Sequence, residues 1–172
     1  MQGPTAEVVS AYEAAMSEVE LDDGKRQGVH EARQGASFLS WKVVEPKATR
    51  PNHLITADAC AFRIEVQLNQ PVRNGKAIIA LRNHDGQLMC AWGVNRLHLA
   101  IGRHEIDYSL PSLPLRPGPY HWEVSLWEGY ELLDKWFCLP DLIIATVPQT
   151  HPDERWTGIL NVPCEIEIRK SD

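Results

Sequence analysis

The stretch that most constrains the fold is residues 113–130, Leu-Pro-Leu-Arg-Pro-Gly-Pro-Tyr-His-Trp-Glu-Val-Ser-Leu-Trp-Glu-Gly-Tyr. Its first half is a turn punctuated by prolines and Gly118. Its second half alternates without a slip. Tyr120, Trp122, Val124 and Leu126 fall on one face of an extended chain, and His121, Glu123, Ser125 and Trp127 on the other. Successive strand side chains point to opposite faces, so this is a half-buried β-strand with Trp122 in the core. A Pro-Gly turn that runs through a buried tyrosine into a strand is an entry to a central strand of an immunoglobulin-like sandwich, with the tyrosine packed at the corner. The rest of the chain must supply partners for both faces.

Further strands read at 38–44, 59–69, 76–82, 88–92, 105–110, 132–139, 142–147 and 164–169. Phe62, Ile64, Val66 and Leu68 alternate with Arg63, Glu65, Gln67 and Asn69. Residues 76–82 are apolar on both faces, as a central or covered strand is. Gln70-Pro71, Asn74-Gly75 and His84-Asp85-Gly86 read as turns, and 128–131 as a hairpin loop. Residues 45–57, with two prolines, read as a loop. No helical period occurs after residue 35. The pattern predicts an all-β fold, an antiparallel immunoglobulin-like or jelly-roll β-sandwich. Ahead of it, residues 5–20 read as a short helix. Thr5 is its N-cap, and Val8, Tyr12, Ala15 and Val19 form its apolar stripe. Residues 20–34 are charged, contain Gly24 and Gly28, and read as a mobile linker. The organisation expected is therefore helix and linker over 1–35 and sandwich over 36–172.

The chain has 172 residues, enough for one such domain without staples. Its net charge of −6 argues against a nucleic-acid groove, which needs a basic stripe. Cys60, Cys90, Cys138 and Cys164 are widely spaced and read as free thiols in a reducing compartment. No apolar run reaches the ~18–20 residues of a membrane span, and no signal peptide is visible. The expectation is a soluble, cytoplasmic domain.

Motifs for nucleotide phosphates, a nucleophile elbow or zinc are missing from the sequence, so no cofactor, metal or catalytic residue is assigned. His98 and His104 read as turn and surface residues. Glu123 and Glu128 could be imagined as a glycosidase pair, but residues five apart in a strand point to opposite faces. What remains is the outward face of the organising strand. His121, Glu123 and Trp127 project together there. If 76–82 and 132–139 share the sheet, Arg82 and Trp136 join them. A Trp ring offers an apolar face to the C–H face of a pyranose, and the polar groups offer hydrogen bonds to hydroxyls. Alternatively, Trp127 and Trp136 cover one another or lie in a dimer interface. The phase of Trp92 does not decide between core and rim.

Several segments resemble a known family. They are Gly3-Pro4-Thr5-Ala6-Glu7-Val8-Val9-Ser10-Ala11-Tyr12, the charged linker, His84-Asp85-Gly86-Gln87, Trp92-Gly93-Val94-Asn95, and Leu115-Arg116-Pro117-Gly118-Pro119-Tyr120. In their order and spacing they resemble the C-terminal domain of the ATP-binding subunit of O-antigen polysaccharide ABC exporters, the Wzt type. The resemblance implies a cytoplasmic β-sandwich, peripheral to the inner membrane, that recognises the exported glycan, often through its non-reducing end. ATP hydrolysis would reside in a preceding nucleotide-binding domain, and a membrane permease would be a partner of the full subunit. It also implies a homodimer held by an exchanged terminal strand. Residues 164–169 are the candidate: the 16 residues from 148 to 163 could reach about 50 Å at ~3.3 Å each, and Ile166 and Ile168 need an apolar groove; alternatively the strand folds back onto its own sheet, since a long loop can also wrap its own domain. The competing function is a structural or dimerisation sandwich that binds only protein.

Overall fold

The computed structural model describes residues 28–32, 35–47, 50, 52–54, 59–145 and 160. The helix expected over 5–20 and the strand expected over 164–169 lie outside the described residues. Among the described residues there are ten strands: β1 (Val29–Glu31), β2 (Ala36–Glu45), β3 (His53–Leu54), β4 (Cys60–Leu68), β5 (Val72–Asn83), β6 (Leu88–Leu99), β7 (Gly102–Leu110), β8 (Gly118–Glu128), β9 (Glu131–Phe137) and β10 (Leu142–Ile144). They form an all-β sandwich. The smaller sheet has the order β2-β4-β7. In the larger sheet, β8 is flanked on one side by β5, which pairs onward with β6. On its other side, β8 pairs β10 through residues 118–120 and β9 through residues 123–128. All these pairings are antiparallel except that of β10 with β3.

The organising strand takes the expected place. Tyr120, Trp122, Val124 and Leu126 are buried between the sheets. Trp122 meets Phe62 edge-on at 4.9 Å between ring centroids and Trp41 at 6.3 Å. The Tyr120 hydroxyl donates to the Arg116 carbonyl at 3.0 Å, four residues upstream, as a sandwich's corner tyrosine does. Alternation also places Phe62, Ile64, Val66 and Leu68 in the core. On the outer face of the smaller sheet, Arg63 pairs with Glu105 and Asp107, and Glu65 with Arg103. Trp92 lies opposite Ile79 and packs partly buried against the core.

Four expectations need correction. Val29–Glu31, inside the supposed mobile linker, is strand β1 and pairs with β9. His53–Leu54, inside the supposed loop, is strand β3. Asn74-Gly75 is no turn: it lies within β5, at an irregularity opposite Leu97 and Leu99 of β6. A Cβ on Gly75 would stand 2.3 Å from a Val72 methyl, so glycine serves close packing there. Finally, β6 and β7 run on well past the apolar runs that marked them.

The first two were invisible because two or three residues carry no period. In β1 the anchor is polar. His30 Nδ1 lies 3.0 Å from Oδ2 of Asp134, which is fully buried, and the same oxygen accepts the Phe38 backbone N–H at 2.8 Å. The His30 ring stacks on Trp136 at 5.7 Å. Gly28 sits so close to β9 that a Cβ would meet the Phe137 carbonyl oxygen.

Cys60 and Cys138 are buried and Cys90 is partly so, and all three are free thiols. Burial pushes the Cys60 and Cys90 thiols up to about 11. At neutral pH they are unreactive thiols, not thiolates. Thiol reagents should therefore label them only as the protein unfolds, with labelling followed against denaturant.

Candidate functional site

The outer face of the larger sheet carries His121, Glu123, Ser125 and Trp127 from β8. On the adjacent β5, Arg82 stands opposite His121 and Ala80 opposite Glu123. Arg82 Nε donates to Glu123 Oε2 at 2.9 Å, and its Nη1 donates to the Gly86 carbonyl at 3.0 Å. The His84-Asp85 turn between β5 and β6 supplies that carbonyl, so the hairpin positions the guanidinium. On the other flank, Asp141 precedes β10, and its Oδ1 lies 3.3 Å from His121 Nδ1. From β9, Lys135 Nζ reaches Glu123 Oε1 at 3.4 Å and Glu31 of β1 at 3.6 Å. Arg82, His121, Glu123 and Asp141 border a cavity of about 220 Å³ lined also by Val29, Phe137 and Leu139, and touched by Trp122 and Cys138. The wall it exposes is almost wholly apolar, because the charged groups among these residues are turned to one another.

Electrostatics ties the charged groups together. The hydrogen bond to Asp141 raises the His121 pKa above its ordinary 6.5, against burial and the nearby Arg82. Burial pushes the Glu123 carboxyl up, but the Arg82 hydrogen bond and Lys135 outweigh it and hold the group below the usual range. Because the His121 pKa is raised, its ion pair with Asp141 is present at low pH and is lost as pH rises through that pKa. An NMR titration of the imidazole should place the His121 midpoint above 6.5, and Asp141→Asn should lower it. A midpoint that ignores the substitution would separate the two groups.

Arg82, His121 and Glu123 are brought together as alternation predicts. Trp127 shares their face but does not line the cavity. It stands four residues along β8 from Glu123, about 13 Å away at ~3.3 Å per residue, and its Nε1 donates to Ser125 Oγ at 3.1 Å. Trp136 is a correction. It is only 3% exposed and points inward, between His30 and Phe38. The cause is a bulge in the β8–β9 hairpin. Glu128 pairs with Glu131 and Trp127 with Leu132, but Leu126 then pairs with Asp134, so Leu133 is an extra residue. An unbulged hairpin would set Trp136 opposite Glu123; the bulge sets Phe137 there instead and turns Trp136 to the core.

Sequence reasoning missed Asp141, Phe137, Leu139 and Val29. An aromatic next to Trp136 was the available signal for Phe137, had a bulge been considered. Glu128 is no partner of Glu123. It accepts the backbone N–H groups of Arg73 and Asn74 at the far end of the strand. His98 and His104 each donate to a nearby carbonyl, of Arg96 and Ala100. Among the described residues, no helix is long and apolar enough to cross a membrane.

No family model matches the chain, and no curated protein matches it significantly. Solved structures do. One superposes with a TM-score of 0.64 over 84% of this chain and 90% of its own length, at 16% identity. The fold is that of the C-terminal domain of Wzt. Two others overlap far less: a β-glucuronidase 2 mutant from Bacteroides uniformis (TM-score 0.43, 17% identity, 59% of this chain and 14% of that one) and a CARDB domain from Pyrococcus furiosus (0.37, 9%, 67% and 93%). The match to the Wzt domain covers nearly all of that domain.

Proposed function

We propose that this chain is a non-catalytic carbohydrate-binding domain that recognises an O-antigen polysaccharide, at its non-reducing end, as a substrate for ABC-transporter export. The observation that carries this reading is the cavity on the outer sheet face, where Arg82, His121, Glu123 and Asp141 stand beside the apolar side chains of Val29, Phe137 and Leu139. Convergent polar groups beside apolar surface suit a ring with hydroxyls on its rim and C–H bonds on its face. The Wzt-type sequence segments and the Wzt domain's fold support the same reading. In it, Trp127 is an outlying aromatic platform on the same face. The chain works at the cytoplasmic side of the inner membrane as part of a longer subunit, whose ATPase domain and permease partner perform transport.

Calorimetry with O-polysaccharide tests this. Arg82→Ala and Glu123→Ala should each weaken binding roughly tenfold to a hundredfold, as loss of a charge-assisted hydrogen bond of about 1.5–3 kcal/mol does. Trp127→Ala should weaken it less. A folded wild type with no affinity for polysaccharide would leave the alternative, a sandwich that binds only protein.

We also propose a homodimer held by exchange of residues 164–169. The outer edge of β6 supports a second copy, since among the described residues β6 pairs only with β5 and exposes Leu88 and Val94. Leu160 bridges Leu115 of its own chain, so the tail's reach starts there, four residues before Cys164. Truncation after Pro163 keeps that bridge and should give a soluble, weakened dimer or a monomer by light scattering. A dimer that persists at unchanged affinity would show the tail to be dispensable.

A further inference from the structure

We infer that the outer-face cavity selects one neutral sugar ring, and that Glu123 and Asp141 are the residues that keep acidic sugars out. The inference rests on the carbohydrate reading above and narrows it. The first observation is size. At about 220 Å³ the cavity lies below the roughly 300–1,000 Å³ of pockets that hold drug-sized ligands, so it accommodates a single ring rather than a longer segment.

The second observation is charge. Every cation at the cavity already faces a carboxylate. Arg82 is bonded to Glu123 at 2.9 Å and His121 lies 3.3 Å from Asp141. Of the charged residues that line the cavity, Arg82 stands against Glu123 and Asp141. Protonated His121 brings the site to balance, and neutral His121 leaves it net negative. The side chains of Glu123 and Asp141 are only 19% and 24% exposed, so salt screens them less than a surface pair. A uronate or phosphate entering here meets two part-buried carboxylates and finds no unclaimed cation.

Neutral hydroxyls meet no such obstacle. Each can donate and accept. The exposed edges of Glu123, Asp141 and Arg82 beside the cavity can accept from or donate to them, while His121 is already bonded to Asp141 and to the Asn83 backbone. Pre-paired charges hold these groups in place before the ligand arrives. Val29, Phe137 and Leu139 face the ring's C–H side.

The test is an array of neutral oligosaccharides and their uronic-acid counterparts, probed with the folded chain at low and high salt. Neutral glycans should bind at least tenfold better than the matched acidic ones, with the gap narrowing as salt rises. Glu123→Gln and Asp141→Asn, checked for folding by thermal melts, should each shrink that gap by about tenfold. Acidic glycans bound as well as or better than neutral ones would overturn the inference while leaving the carbohydrate reading standing. So would a gap that both substitutions leave untouched. Failure of every glycan to bind would remove the carbohydrate reading and this inference with it.

Discussion

Replacing Trp122 by alanine should lower the stability of the sandwich by about 3–5 kcal/mol, the usual cost of removing a core aromatic. Trp122 is 1% exposed and holds the two sheets together through edge contacts with Phe62 of β4 and Trp41 of β2. The sheets cannot collapse freely into the void, because each is fixed by its own hydrogen-bond ladders. Trp127→Ala, five residues along the same strand, should change stability by about 1 kcal/mol or less. Its ring is on the solvent face and its one polar contact is with Ser125. Urea melts of both variants measure the difference. Equal losses would mean that the two faces of β8 are not distinct.

The second large effect is expected at Asp134. This carboxylate is fully buried, faces His30 and accepts the Phe38 N–H. It thereby ties β1, β2 and β9 into one corner. Asp134→Ala would leave a buried imidazole and a buried backbone donor without their partner. Each buried donor left unsatisfied costs about 1–3 kcal/mol. Asp134→Asn should cost less, since it keeps an acceptor. Because β1 carries Val29 to the cavity rim, hydrogen exchange at Val29–Glu31 should accelerate in Asp134→Ala beyond the global change. Unchanged melts for Asp134→Ala would show that packing alone holds the corner.

These two residues mark how far the sequence could be read. Trp122 was legible because eight consecutive residues alternate without interruption, and only a strand with one buried face explains that. The same period exposed β4 and the face on which Arg82, His121 and Glu123 meet. Asp134 and His30 were illegible for the opposite reason. A lone acidic residue in Leu-Leu-Asp-Lys-Trp and a three-residue Val-His-Glu strand carry no period, and their pairing spans 104 residues of sequence. Trp136 shows a different limit. Its side is set by one extra residue in a hairpin, and alternation on each strand is the same with or without it. Asp141 was missed because it belongs to a connection, and the fold alone brings it beside His121.

The site proposed for the glycan is the outer face of the larger sheet, at the cavity between β5, β8 and β9. The most direct measurement is a map of backbone and side-chain NMR shifts as O-polysaccharide is titrated into the folded chain. The largest changes should fall on Arg82, His121, Glu123, Phe137 and Asp141, with smaller ones at Trp127 and none across the Arg63–Asp107 face of the smaller sheet. Shifts concentrated on β2, β4 and β7, or along the outer edge of β6, would contradict that placement.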